Sequence, residues 1–167
     1  MTEMTQTPAS STAQASSFAP ARLPQIIQGG MGVAVSDWRL AQAVSRTGEL
    51  GVVSGTGIDN VLVCRLQDGD PEGHVRRALA AYPNQDKAQE IIAKYFIEGG
   101  KEPHKPYARI ALPTHRNHKL AWELSIAGGF VEVWLAREGH DFPVGLNLLT
   151  KLELMTMPAL YGAMLAG

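Results

Sequence analysis

The stretch Pro24-Gln25-Ile26-Ile27-Gln28-Gly29-Gly30-Met31-Gly32-Val33 decides the fold. Its apolar pair Ile26-Ile27 reads as a short buried strand that stops at three glycines set around one methionine. Ser36 and Asp37 follow as helix-start residues, and an amphipathic pattern begins there. A strand that ends in glycines and feeds a helix lets backbone press against a flat or phosphorylated ligand. The plainer alternative is a tight turn joining strand to helix. The pattern predicts a strand over 25–28 and a helix from Ser36 to about Thr47, stopped by Gly48. Leu40, Ala41 and Val44 would face inward.

The arrangement recurs downstream. Leu50-Gly51-Val52-Val53 reads as a second strand, and Ser54-Gly55-Thr56-Gly57 follows it. Loops after parallel strands line ligand sites in barrels. Ser54, Gly55 and Thr56 are therefore candidate pocket residues, beside the plainer reading of a flexible turn. A third strand runs from Val144 to Leu149, with Asn147 its one polar side chain. A buried amide needs partners, which are either neighbouring backbone or a ligand edge offering donors and acceptors.

The connection between the second and third strands is far longer than the usual two to six residues. Over 58–107 it reads as a helical insertion. One helix spans Asp70 to Ala81 with Pro71 in its first turn, and another spans Asn84 to Ile97, closed by Gly99-Gly100. Val75, Leu79, Ile92 and Phe96 would pair these helices over a barrel mouth or against its side, with Arg76-Arg77 on a solvated face. Ile110-Ala111-Leu112-Pro113 is extended, because a residue before proline avoids the helical region. Leu120, Leu124, Ala127, Val131 and Trp134 then recur at helical spacing, although Val131, Val133 and Leu135 alternate like a strand. A parallel third strand needs a crossover before it. One helix from Asn117 to Glu138 is the prediction, with Gly128-Gly129 as the place for a kink. A last helix from Pro158 to Ala166 would turn Leu160, Met164 and Leu165 inward.

With 167 residues, 45% hydrophobic and 19% charged, and a net charge of −1, the chain has the composition of one globular domain. No basic stripe favours nucleic acid or an anionic membrane. No apolar run approaches the roughly 18 residues of a membrane helix. The single cysteine, Cys64, excludes an intrachain disulfide and suits a reducing, cytoplasmic compartment; it lacks an activating partner and reads as structural. Residues 1–21 are rich in Ser, Thr, Ala and Gln and contain no Lys or Arg, so they read as a disordered tail and not as a leader. His115 and His118 share a helical spacing but lack a third ligand, so no metal site is expected. Nucleophile-elbow, P-loop and Rossmann motifs are not found.

Pro24, Gln28, Gly29, Gly30, Met31 and Gly32 together resemble the opening strand of the nitronate monooxygenase family, formerly the 2-nitropropane dioxygenases. These are FMN-dependent (β/α)8 barrels, and their relatives include flavin-dependent enoyl-ACP reductases. Pro143-Val144-Gly145-Leu146-Asn147 resembles the family's third strand with its flavin-contacting asparagine, and the run from Phe130 to His140 leads into it. The resemblance spans roughly residues 22–167. A complete barrel needs about 250 residues. The resemblance thus implies an α/β fold forming an incomplete TIM barrel: about the first three βα units, with the insertion at 58–107.

It also implies FMN as cofactor, with Gln28, Gly29, Gly30, Met31, Gly32 and Asn147 near the ring. The implied reaction is oxidation of alkyl nitronates with dioxygen. Reduction of an enoyl thioester, as in the enoyl-ACP reductase relatives, is the alternative, so the partner is a small-molecule substrate either way. The phosphate-binding loops and the family's catalytic histidine would lie beyond Gly167. His140, in Glu138-Gly139-His140, precedes the third strand and does not take that role. A further alternative is a non-catalytic, truncated segment without independent activity. Substrate and oligomeric state are not legible.

Overall fold

Strand β1 (Gly51–Ser54) is buried along its whole length and pairs in parallel with β2 (Val144–Asn147), in register from Gly51↔Val144 to Ser54↔Asn147. This computed structural model describes residues 23–108, 110–111 and 113–167. Backbone groups of alternate strand residues face opposite edges. Accordingly, Gly55 N–H donates to the Asn147 carbonyl at 2.8 Å on the β2 side. Leu50 N–H donates to the Ile26 carbonyl at 3.1 Å on the other. The expected first strand is reduced to that contact: Ile27 bridges Leu50 in parallel, and Gln28 N–H donates to the Leu50 carbonyl at 3.0 Å. The fold is mixed α/β, mostly helical, around a small two-stranded parallel sheet.

Among the described residues, six helices accompany the strands: α1 (Trp38–Ser45), α2 (Ile58–Gln67), α3 (His74–Ala80), α4 (Gln85–Tyr95), α5 (Lys119–Arg137) and α6 (Glu153–Leu165). Helix α1 is capped by Asp37, not Ser36: the Asp37 carboxylate accepts from the Arg39 and Leu40 amides. Its buried residues are Trp38, Ala41 and Ser45, while Leu40 is exposed. The bulky indole takes the core, which turns the buried stripe away from Leu40 and Val44.

Helix α2 is a third helix at the start of the 58–107 insertion, where two were expected. Ile58, Val61, Leu62 and Leu66 are buried along it. Its N-cap is Gly57 in the left-handed conformation, without a capping side chain. Helix α3 starts at His74, later than the expected Asp70. Asp70 instead sits ahead of it at φ 41° and accepts from the Val75 and Arg76 amides at 3.0 and 2.9 Å. Val75, Leu79, Ala88, Ile91 and Tyr95 join the same core as α5, with Ile92 and Phe96 packed against it. The insertion therefore lies on the body of the fold. Arg76 and Arg77 are half-exposed, but each is engaged, with Asp70 and Glu138 respectively. Asn84 caps α4 through the Lys87 amide at 3.1 Å. Asn84→Ala is expected to lower unfolding stability by about 1 kcal/mol, the usual loss for an N-cap, read as a shift in urea midpoint.

Helix α5 is the long crossover helix and runs unbroken through Gly128-Gly129. These glycines are points of close approach. A Cβ on Gly128 would lie 2.6 Å from the Ile58 carbonyl oxygen, and one on Gly129 would lie 2.4 Å from that of Ala159. Helix α6 begins at Glu153, before Pro158, and buries Pro158, Ala159 and Gly162. Leu160 and Met164, expected inward, are exposed, and Leu165 is partly buried. Small residues let the α5 and α6 backbones touch, so the large side chains are turned away.

The tail at 1–21 lies outside the described residues. So does Leu112 of the extended stretch, whose described members Ile110, Ala111 and Pro113 pair with no strand. Among the described residues, no helix is long and apolar enough to cross a membrane.

Candidate functional site at the glycine loop

The loop from Gly29 to Val35 runs from the edge of β1, where Gln28 meets Val52, to Ser36, whose carbonyl accepts from Ser54 N–H at the end of β1. Gly30 is the tightest point: a Cβ there would meet Val52 Cγ1 at 2.4 Å and Asn147 Cβ at 3.0 Å. Its φ of 63°, with Gly32 at 89° and Ala34 at 57°, makes a backbone that repeatedly enters the left-handed region. Glycine enters that region freely and alanine at a cost of about 1–2 kcal/mol. The loop closes through the Val35 and Ser36 amides, which donate to the Gly32 carbonyl at 3.0 and 3.3 Å.

Four of the six sequence-predicted site residues are this loop's glycines and Met31, and Asn147 fastens it to the sheet. Asn147 Nδ2 donates to the Gly29 carbonyl at 2.8 Å, and its Oδ1 has no partner among the described residues. Gln28 is wholly engaged within the chain. Its Oε1 accepts from Val52 N–H at 2.9 Å, and its Nε2 donates to Ser36 Oγ at 2.9 Å. The side chain continues the ladder where the main chain leaves the strand, so Gln28 is a loop anchor. Met31 is 74% exposed, and Val33 and Val35 are exposed beside it in sequence.

No family model, curated protein or solved structure matches this chain. The loop's own chemistry therefore bears on function. It offers backbone amides, an unpaired amide oxygen and an apolar fringe. No Arg or Lys side chain hydrogen-bonds or ion-pairs to it among the described residues.

Ser54, Gly55 and Thr56 lie at the same strand ends. Gly55 is packed close, with a Cβ meeting Leu148 Cδ2 at 2.7 Å. The cleft shared by Gly55, Thr56, Leu148, Leu149 and Met155 holds only about 10 Å³, too little for a ring. A depression of about 560 Å³ between Tyr82, Lys87, Glu123 and Tyr161 contains no loop residue. Among the described residues, no group of three or more His, Cys, Asp or Glu is placed to hold a metal. His140 is tied by Nε2 to the Ala136 carbonyl at 2.7 Å and accepts at Nδ1 from Phe142 N–H, away from the loop. Cys64 has its thiol pushed up by burial and then by Asp68, against the pull of Lys101.

Behind the loop lies a charged cluster that sequence reasoning missed. Glu132, in the middle of α5, is buried and accepts from Trp38 N–H, the first amide of α1, at 2.9 Å. Arg65 of α2 pairs with Glu132 through Nη1 and with Asp37 through Nη2, the latter at 3.4 Å. Burial raises the Glu132 carboxyl above its ordinary range, against the Arg65 charge and the Trp38 hydrogen bond. A lone acid inside the apolar run Phe130-Val131-Glu132-Val133-Trp134 was the signal.

Proposed function

We propose that the glycine loop and Asn147 form the ring-facing part of an FMN site in a nitronate monooxygenase-like chain. The observation that carries this is a loop exposed at Gly29, Met31 and Gly32, packed through the buried Gly30 against Val52 of β1 and Asn147 of β2, and fastened by Asn147. The isolated bridge at Ile27, β1 and β2 follow one another in sequence, and Ile27 and β2 each pair in parallel with the segment 50–54, which supports reading them as the beginnings of the first three βα units of an incomplete (β/α)8 barrel. In such folds the ligand sits at the carboxyl ends of the strands.

The residues fit the ring part of the cofactor. Met31 offers a soft thioether to a ring face. The loop amides and Asn147 Oδ1 would meet its polar edge. Bound there, FMN would supply the redox chemistry between a nitronate and dioxygen. The chain's own part is to hold the ring and to shield one face of it from water. The phosphate and the proton-abstracting base are not provided by the loop. The open sheet edges, with Ile26 and Ile27 exposed, favour a second reading, in which these 167 residues bind or fold without turnover of their own.

The test is to titrate the purified chain with FMN and to follow flavin fluorescence and co-elution in gel filtration. Retention is expected. Met31→Ala should weaken binding about two- to tenfold, the range of a thioether–ring contact, without moving the unfolding midpoint, because Met31 is exposed. A chain that folds and retains no FMN would sink the ring assignment. Nitronate turnover by the same sample would remove the second reading.

A further inference from the structure

The loop is fastened at both ends. Upstream, Gln28 and Asn147 tie it to the sheet. Downstream, residues 36–38 are held by three elements at once. Ser54 N–H of β1 donates to the Ser36 carbonyl at 2.8 Å. Glu132 of α5 accepts from Trp38 N–H, and Arg65 of α2 reaches the Asp37 carboxylate. Asp37 in turn caps α1.

The chemistry of this clamp is more than packing requires. Helix α5 is apolar around Glu132, and burying a carboxylate there is unfavourable unless it is paired. A hydrophobic residue would fill the space at least as well. The planar guanidinium gives what a hydrophobic residue lacks, since its fork spans two carboxylates in fixed geometry. One belongs to the crossover helix and the other to the first turn after the loop. Moving α1 away from α5 would break the Trp38–Glu132 hydrogen bond and draw Asp37 from Arg65 together.

We propose that Arg65 and Glu132 are positioning residues that set the downstream end of the glycine loop and so the orientation of its exposed backbone. This rests on the FMN reading only for what the backbone is oriented toward. The clamp itself is a property of the flavin-free chain, and the two are tested by separate readouts.

The first readout is amide hydrogen exchange without flavin. The Val35, Ser36 and Ser54 amides report the clamp, because they bond to Gly32 in the loop and to Ser36 at its clamped end. Two variants are compared with wild type. Arg65→Lys keeps the charge but replaces the fork by a point. Glu132→Gln keeps shape and an acceptor for Trp38 N–H while removing the charge. Exchange at the three amides is expected to rise at least about tenfold in both, the size of a lost charge-assisted hydrogen bond. The Ala88 amide of α4 and the Phe96 amide at its C-cap, bonded to Asn84 and Ile92, should keep wild-type rates.

Unchanged exchange at the three reporters would overturn the proposal. So would an equal rise in α4, which would mark a merely structural pair. If Glu132→Gln does not fold, Arg65→Lys decides, because the Arg65 side chain reaches solvent. The second readout is FMN affinity and the flavin absorbance bands, with about tenfold weaker binding and shifted bands expected in both variants. Failure of wild type to bind FMN would overturn the ring-orienting half alone, and the exchange rates would still judge the clamp.

Discussion

Gly162→Ala is expected to destabilise the chain by about 1–3 kcal/mol, although alanine is the better helix former by about 1 kcal/mol. The two effects oppose, and geometry decides the sign. A Cβ on Gly162 would lie 2.0 Å from the Ile126 carbonyl oxygen and 2.8 Å from its carbon. Both are backbone atoms of α5, so no side chain can swing aside. Either α6 moves outward or α5 bends, and both open the contact at Gly129. In thermal unfolding the loss should appear as a fall of about 2–4 °C per kcal/mol for a chain of this size. Gly129→Ala should behave alike. The double substitution should cost less than the sum, because once the helices part the second methyl finds room. Tyr161→Ala, next to Gly162 but exposed, should stay within about 0.5 kcal/mol of wild type. A Gly162→Ala chain as stable as wild type would show that α5 and α6 are not in backbone contact.

That crossing also shows where the sequence is a good guide and where it misleads. Periodicity locates α4 and α5, and apolar runs locate β1 and β2, because burial of large side chains is what period and hydrophobicity record. At the α5–α6 contact the buried face is made of Gly129, Ala159 and Gly162. A pattern that weights large residues therefore points Leu160 and Met164 the wrong way. Helix α2 hid for a different reason: it starts from a left-handed Gly57 with no capping side chain, so the expected start signal is absent. At the candidate site, the glycine loop and Asn147 were legible because three glycines and a lone amide are conspicuous. The pairing of Arg65 with Glu132 was not legible. The two are separated by 67 residues, and only the packing of α2 on α5 joins them.

Arg65→Met should be the most damaging single change in that cluster, and its effect should depend on pH. The substitution leaves Glu132 buried, with the Trp38 N–H as its remaining donor. Breaking a buried pair from one side costs about 3–5 kcal/mol, expected here at neutral pH as a drop in urea midpoint. Burial already holds the Glu132 carboxyl above its ordinary range, and Arg65 is the largest opposing influence. Without Arg65 the folded-state value must rise further. In the unfolded chain a glutamate titrates near pH 4.3. Above that pH the variant's folded state holds a proton that its unfolded state has lost. Its stability therefore falls as pH rises from about 4.3 toward the folded-state value, and it is fully present only below that window. The gap between variant and wild type should be small near pH 4 and should widen toward neutrality. Arg65→Met combined with Glu132→Gln should remove that slope and recover most of the loss, because the amide keeps an acceptor for Trp38 N–H and carries no charge. Urea midpoints of wild type, single and double variants between about pH 4 and pH 8 decide the matter. A single variant within about 1 kcal/mol of wild type at neutral pH, or one with an unchanged pH slope, would mean that Glu132 has another route to solvent or to a counter-charge.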